Sequence, residues 1–146
     1  MPRTVLAIGT NLGDRENNVR EALNRLECAF GAVPTALSPV VNTKAVGFEG
    51  PDFLNCLVEF DVDLEPFRLL ETCKRIEKDM GRSDSVEYDS AGGRIYHDRV
   101  IDIDILTFGN QTVDTPELKI PHPQIKTRSY IKELLLTLHA HSEKKD

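Results

Sequence analysis

Cysteine is scarce: Cys28, Cys56 and Cys73 are three in number and no two form a Cys-x-x-Cys pair. An odd, scattered set argues against a disulfide framework or a thiolate metal site and points to small core side chains. Positive charge is also short, with 18 Lys and Arg against 24 Asp and Glu and a net charge of −6. That balance argues against broad electrostatic binding to nucleic acid. No apolar run reaches the roughly 20 residues of a membrane helix. Met-Pro-Arg-Thr-Val runs straight into a strand pattern with no apolar leader, so the chain is expected to be cytoplasmic and to work away from membranes. Internal repeats and low-complexity tracts are missing as well. So are a Gly-x-Ser-x-Gly elbow, a His-Glu-x-x-His run and any Cys-His set, which removes the common hydrolase and zinc-protease signatures.

What is present is the composition of a globular protein: 146 residues, 40% hydrophobic and 29% charged. This suits one domain over residues 1–146, able to bury roughly two-thirds of its unfolded surface. Val5 to Ile8 read as a short strand ending in Gly9-Thr10-Asn11-Leu12-Gly13, and Asp14 can cap the helix that follows. Val19, Ala22, Leu23, Leu26, Ala29 and Phe30 recur at helical spacing. A strand over Leu37 to Thr43 is expected to be bent or placed at an edge by Pro39. From Phe53 to Asp63 the alternation is clean, with Leu54, Cys56, Val58, Phe60 and Val62 on one face. Phe53, Asn55, Leu57, Glu59 and Asp61 share the other. Pro66 starts a helix whose stripe is Phe67, Leu70, Cys73, Ile76 and Met80, with Gly81 past its end. Residues 83–96 are polar and without period, the character of a functional lid.

A strand then carries the most unusual pattern of the chain, Arg99-Val-Ile-Asp-Ile-Asp-Ile-Leu. Gly109-Asn110 turns into a return strand at Thr112-Val113, and Thr127 can cap a last helix packed through Ile131, Leu134, Leu135 and Leu138. The order βαββαβ is that of a ferredoxin-like α+β sandwich, with a hairpin and a C-terminal helix added. Its sheet is expected to be mostly antiparallel with helices on one face, leaving the other free for ligands.

Strand alternation sets Asp102 and Asp104 together, opposite Ile101, Ile103 and Ile105. Charge on an edge strand that blocks aggregation is the plain explanation. A carboxylate pair on rigid backbone is also the donor set that Mg²⁺ takes from a protein beside phosphate oxygens. Arg82, Arg94, His122, Lys126 and Arg128 would flank that strand, and arginine suits phosphate because its planar fork makes paired hydrogen bonds. His122, between two prolines, could be a phosphate donor, a general acid or a half-buried polar residue. The segment Gly9 to Gly13 lacks the lysine and spacing of a P-loop and reads as a tight strand-to-helix turn. Phe53 and Asn55, side by side on one strand face, could stack on a flat heterocycle and read its edge.

Taken together these stretches resemble the hydroxymethyl-dihydropterin pyrophosphokinases of folate synthesis. The likeness lies in Ala7 to Gly13, Phe53-Leu54-Asn55, Arg75-Ile76-Glu77 through Gly81-Arg82, Arg99-x-x-Asp102-x-Asp104-Ile105-Leu106, and Pro121-His122-Pro123 through Arg128. The resemblance implies pyrophosphate transfer from ATP to the pterin hydroxymethyl group, with release of AMP. It implies two Mg²⁺ ions on Asp102 and Asp104, with Arg82 and Arg99 sharing the catalytic work. Pterin contacts would be Thr43, Val46, Gly47, Phe53, Asn55 and Tyr130, with Phe53 and Tyr130 sandwiching the ring. ATP contacts would be Glu77, Arg82, Arg99, Ile105, His122 and Arg128.

This sequence departs from the usual family pattern in three places. Tyr96-His97-Asp98 stand where Gly-Pro usually precedes the signature arginine. Asp84 stands where a basic residue is usual, with Arg94 or Lys78 as substitutes. The sequence stops soon after Leu138 while many members extend further, so different lid behaviour and turnover are expected. A monomer acting on small molecules is expected. The rival readings are a metal-dependent phosphohydrolase and a non-catalytic ferredoxin-like ligand-binding domain.

Overall fold

The structure, a computed structural model, describes residues 3–44, 51–81, 87–88, 94–95 and 101–143. The chain runs through β1 (Arg3–Thr10), α1 (Arg15–Phe30), β2 (Ala36–Leu37), β3 (Val41–Thr43), β4 (Phe53–Asp61) and α2 (Pro66–Asp79). It continues with β5 (Glu87–Tyr88), β6 (Arg94–Ile95), β7 (Asp102–Phe108), β8 (Val113–Asp114), β9 (Lys119–Ile120), α3 (Gln124–Thr127) and α4 (Ser129–Glu143). The main sheet has the order β2-β4-β1-β7, with β3 also on β4, and all its pairings are antiparallel. The fold is therefore α+β.

Local chemistry sets the boundaries. The Asp14 carboxylate accepts from the backbone N–H of Asn17 at 3.2 Å and so starts α1. Pro66 opens α2, where its missing donor costs nothing. The expected strand over Leu37 to Thr43 divides into β2 and β3. Pro39 offers no N–H at the break, and the Ser38 hydroxyl accepts from Leu57 N–H at 2.7 Å in place of a ladder partner.

On one face of the sheet α1 and α2 cover Leu6, Ile8, Val58, Phe60, Ile103 and Ile105. Phe30 meets Phe60 edge to face at 5.0 Å. The opposite face is not left free, as the sequence pattern suggests. Val5, Leu57, Leu106 and Ala36 project there, and α4 covers them with Ile131, Leu134 and Leu138. Those apolar groups need a lid, so helices lie on both faces, and among the described residues only one end of the second face stays open. A bulge opposite Val5/Leu6 leaves Leu106 outside the β1–β7 pairing. Leu106 then joins the second face while Phe108 returns to the first.

Four further expectations are corrected. Cys28 and Ala29 are exposed, because α1's buried stripe is Val19, Ala22 and Leu26, and residue 28 lies about 200° further round. Phe67 is 44% exposed, since α2 buries Leu69, Cys73 and Ile76 instead. The return strand does not pair with β7. It pairs with β9 through a turn in which the Thr115 hydroxyl accepts from Leu118 N–H at 3.0 Å. Thr127 ends α3 and does not cap α4. Of the long segment 83–96, only the β5–β6 pair is described, and the expected lid otherwise lies outside the described residues. Among the described residues no helix is long and apolar enough to cross a membrane.

Candidate active site

Strand register assembles the open end of the second face. Asn55 of β4 pairs with Gly9 of β1, and Gly9 pairs in turn with Asp102 of β7. The next row is Leu57, Ala7 and Asp104. Paired residues project to the same side, so the amide and both carboxylates share one face. Asp102 and Asp104 are half-buried, and Ile103 and Ile105 between and beyond them are fully buried on the other side. Two strand spacings of about 4.8 Å put Asn55 roughly 10 Å from Asp102.

Gly9, itself buried, lets Asn55 and Phe53 lie close over the middle of that row. A Cβ placed there would stand 2.9 Å from Asn55 Oδ1 and 3.8 Å from Phe53 Cδ1. The sequence suggests a tight turn for this stretch, but Gly9 lies inside β1, and its lack of a side chain makes floor space between an amide and a carboxylate. Asn55 is oriented by its own neighbour: Nδ2 donates to Thr43 Oγ1 at 2.6 Å, which turns Oδ1 toward Gly9. Phe53 pairs with Thr43 and flanks the same space. Tyr130, at the start of α4, packs against the apolar cluster of this face, and Arg128 Nη1 donates to its hydroxyl at 3.4 Å.

His122 approaches from the segment between β9 and α3. Its backbone N–H donates to Leu106 O at 2.9 Å, and its Nδ1 accepts from Gln124 N–H at 3.1 Å. Burial pushes its pKa below the usual histidine value, the nearby Asp102 charge pulls it up, and Arg128 pushes it down. With Nδ1 accepting, the neutral imidazole carries its proton on Nε2 as a donor. Beside the edge strand β7, a cleft of about 240 Å³ is lined by Asp104, Ile105, Leu118, Lys119 and His122 among others. Ile105 itself is buried in the main core.

Glu77 is also buried, and its Oε2 accepts from Ile103 N–H at 2.7 Å. That donor lies between the two aspartates on a strand with no further main-sheet neighbour among the described residues, so α2 is tied to β7 where the carboxylates stand. Burial raises the Cys56 thiol to about 12 and pushes Cys73 up as well, so neither is a nucleophile. Among the candidates from the sequence, Val46, Gly47, Arg82 and Arg99 lie outside the described residues. Thr43, Phe53, Asn55, Asp102 and Asp104 share the open face.

The sequence matches the family described as 7,8-dihydro-6-hydroxymethylpterin-pyrophosphokinase (HPPK) over residues 5–140. The chain belongs to this family. Among HPPK relatives, a 2-amino-4-hydroxy-6-hydroxymethyldihydropteridine pyrophosphokinase of Porphyromonas gingivalis is 39% identical over 129 residues, covering 87% of this chain and 84% of the relative. The Bacillus subtilis protein of the same name is 35% identical over 127 residues, covering 86% and 71%. A mitochondrial folate synthesis bifunctional protein of Pisum sativum is 37% identical over 134 residues, which span 92% of this chain and 24% of that protein.

Sequence reasoning passed over Arg15, Asn42 and Asp52 as site residues. Arg15 Nη1 donates to Asn42 Oδ1 at 3.2 Å and to the Asp52 carbonyl at 2.7 Å. One is at a helix start, one on the short strand β3 and one just before β4, so only their distance in space, not in sequence, reveals the connection.

Proposed function

We propose that this HPPK-family chain transfers pyrophosphate from ATP to the hydroxymethyl group of 6-hydroxymethyl-7,8-dihydropterin, giving the pterin diphosphate and AMP for folate synthesis. The observation that carries the proposal is the shared sheet face of Phe53, Asn55, Gly9, Asp102 and Asp104 in a member of this family. A flat ring stacked on Phe53 and Tyr130 would lie with its edge toward Asn55, Thr43, Val46 and Gly47. Its hydroxymethyl group would point across Gly9 to the carboxylates.

Two half-exposed carboxylates on one strand face suit Mg²⁺, which takes few protein ligands and fills its sphere with water and phosphate oxygens. Asp102 and Asp104 would hold two such ions, which when bound offset triphosphate charge and stabilise the charge developing on the transferred group. His122 would donate from Nε2 to a phosphate oxygen, while Arg82, Arg99 and Arg128 would grip phosphates through paired N–H groups. Glu77 and Ile105 would border the nucleotide beside the β7 cleft. The protein's main contribution is alignment of two substrates, which removes translational freedom from the reaction step.

The strand order β2-β4-β1-β7, with α1 and α2 on one face, supports a ferredoxin-like arrangement in which residues 1–146 act as one domain. A cytoplasmic monomer without nucleic-acid partners fits the acidic composition. Incubation with ATP, Mg²⁺ and hydroxymethyl-dihydropterin, followed by nucleotide analysis, tests the proposal. AMP should form only when the pterin is present. ADP, or phosphate released without pterin, would point to a hydrolase, and pterin binding without turnover to a binding domain.

A further inference from the structure

Thr43 on β3 and Phe53 on β4 each sit one residue from a polar clasp that reaches over from the β1–α1 turn. Arg15, at the start of α1, is half-buried and reaches both strands: Nη1 donates to Asn42 Oδ1 at 3.2 Å and to Asp52 O at 2.7 Å. Asn42 Nδ2 donates to Asp52 Oδ2 at 2.9 Å and closes the triangle. Asn11 Nδ2 donates to Pro51 O at 3.1 Å, so a second side chain of the same turn holds the start of β4. The turn is itself braced, because Asn18 Nδ2 donates to Leu12 O at 2.8 Å and to Thr10 Oγ1 at 3.2 Å. Asn42 precedes Thr43, the hydroxyl that orients Asn55, and Asp52 precedes Phe53.

We propose that Arg15 is a positioning residue for the pterin subsite, acting through Asn42 and Asp52 to set the separation of Thr43 from Phe53 and Asn55. This inference rests on the pyrophosphokinase reading of the open face. Arginine suits the task because its rigid guanidinium serves acceptors on two strands at once, where lysine offers a point charge on a flexible stem. The bonds are largely exposed, so they contribute little to global stability and chiefly select one geometry for the strand ends. Nucleotide candidates stand elsewhere, on α2, β7 and the His122 segment, so the clasp bears on one substrate and not the other.

Steady-state kinetics of wild type, Arg15→Ala, Arg15→Lys, Asn42→Ala and the Arg15→Ala/Asn42→Ala double variant test it. Arg15→Ala should raise KM for the pterin about five- to tenfold, with KM for ATP and kcat within about twofold and the melting temperature within a few degrees. Arg15→Lys should recover part of the loss, and the double variant should be no worse than the poorer single one, because both break one unit. The clasp is overturned by an unchanged pterin KM in an active enzyme, by equal changes for both substrates, by additive effects of the two substitutions, or by an Arg15→Ala chain that fails to fold. A wild-type chain that makes no AMP from ATP and pterin instead overturns the proposed function, and the clasp with it.

Discussion

At the scale of single residues, the absence of a side chain matters as much as any functional group. Gly9 has no need of an unusual backbone angle, since it lies within β1 and is paired to a strand on either side. Its role is steric: a methyl carbon at this position would come within 2.9 Å of Asn55 Oδ1, closer than such contacts occur. The Asn55 amide could retreat only by giving up its 2.6 Å bond to Thr43 or by crowding Phe53. Gly9→Ala should therefore raise KM for the pterin by about tenfold or more while the ATP site is little changed, a shift of roughly 1.4 kcal/mol or more in pterin affinity. Titration of each substrate by fluorescence or calorimetry checks it, and equal losses for both substrates would remove the steric explanation. The glycine is visible in the sequence, but nothing local distinguishes a glycine kept for a turn, like Gly13 with its positive φ of 69°, from one kept for floor space.

At the scale of elements, α2 is more than a cover for the sheet. Its buried stripe of Leu69, Cys73 and Ile76 continues into Glu77, whose carboxylate meets the outward Ile103 N–H of the edge strand. An edge strand with an unmet N–H at this depth would lose a hydrogen bond it cannot regain from water. Removing that acceptor leaves the donor buried and unpaired. Glu77→Ala should lower unfolding free energy by about 2–3 kcal/mol in urea titrations, and Glu77→Gln, which keeps an acceptor oxygen, by clearly less. Equal losses would mean that the carboxylate acts by filling space alone. The helix is legible from its apolar spacing. The polar residue at its inner edge is not, because helical period alone reads a buried Glu as surface.

At the scale of the whole molecule, three strands distant in sequence bring the amide, the glycine and the carboxylates into one row. The same sheet must bury Val5, Leu57 and Leu106 at its other end, and α4 does so, which confines the open face to one end. The carboxylates are half-exposed on that open end, so they can be neutralised without disturbing the core. Asp102→Asn and Asp104→Asn should each lower turnover by at least about a hundredfold, an effect of some 2.7 kcal/mol or more on the barrier. Circular dichroism and the urea midpoint should stay close to wild type. Full turnover in both variants would end the magnesium assignment.

The sequence by itself determined the main helices α1, α2 and α4, the long strands β1, β4 and β7, and which pairs share a side of one strand. Those properties depend on periodicity over a few neighbours, so Asp102 with Asp104 and Phe53 with Asn55 can be paired from the chain alone. It also carried the family likeness, through motifs that run in order along the chain. Tertiary structure alone decided the alignment of Asn55, Gly9 and Asp102, the cover of the second face by α4, and the bonds from Arg15 to β3 and β4. Each depends on register between segments far apart in the chain, and on one bulge at Leu106 that no local pattern announces. A single-residue slip between β1 and β7 would turn the carboxylates into the core, and only the packing of both faces together forbids it.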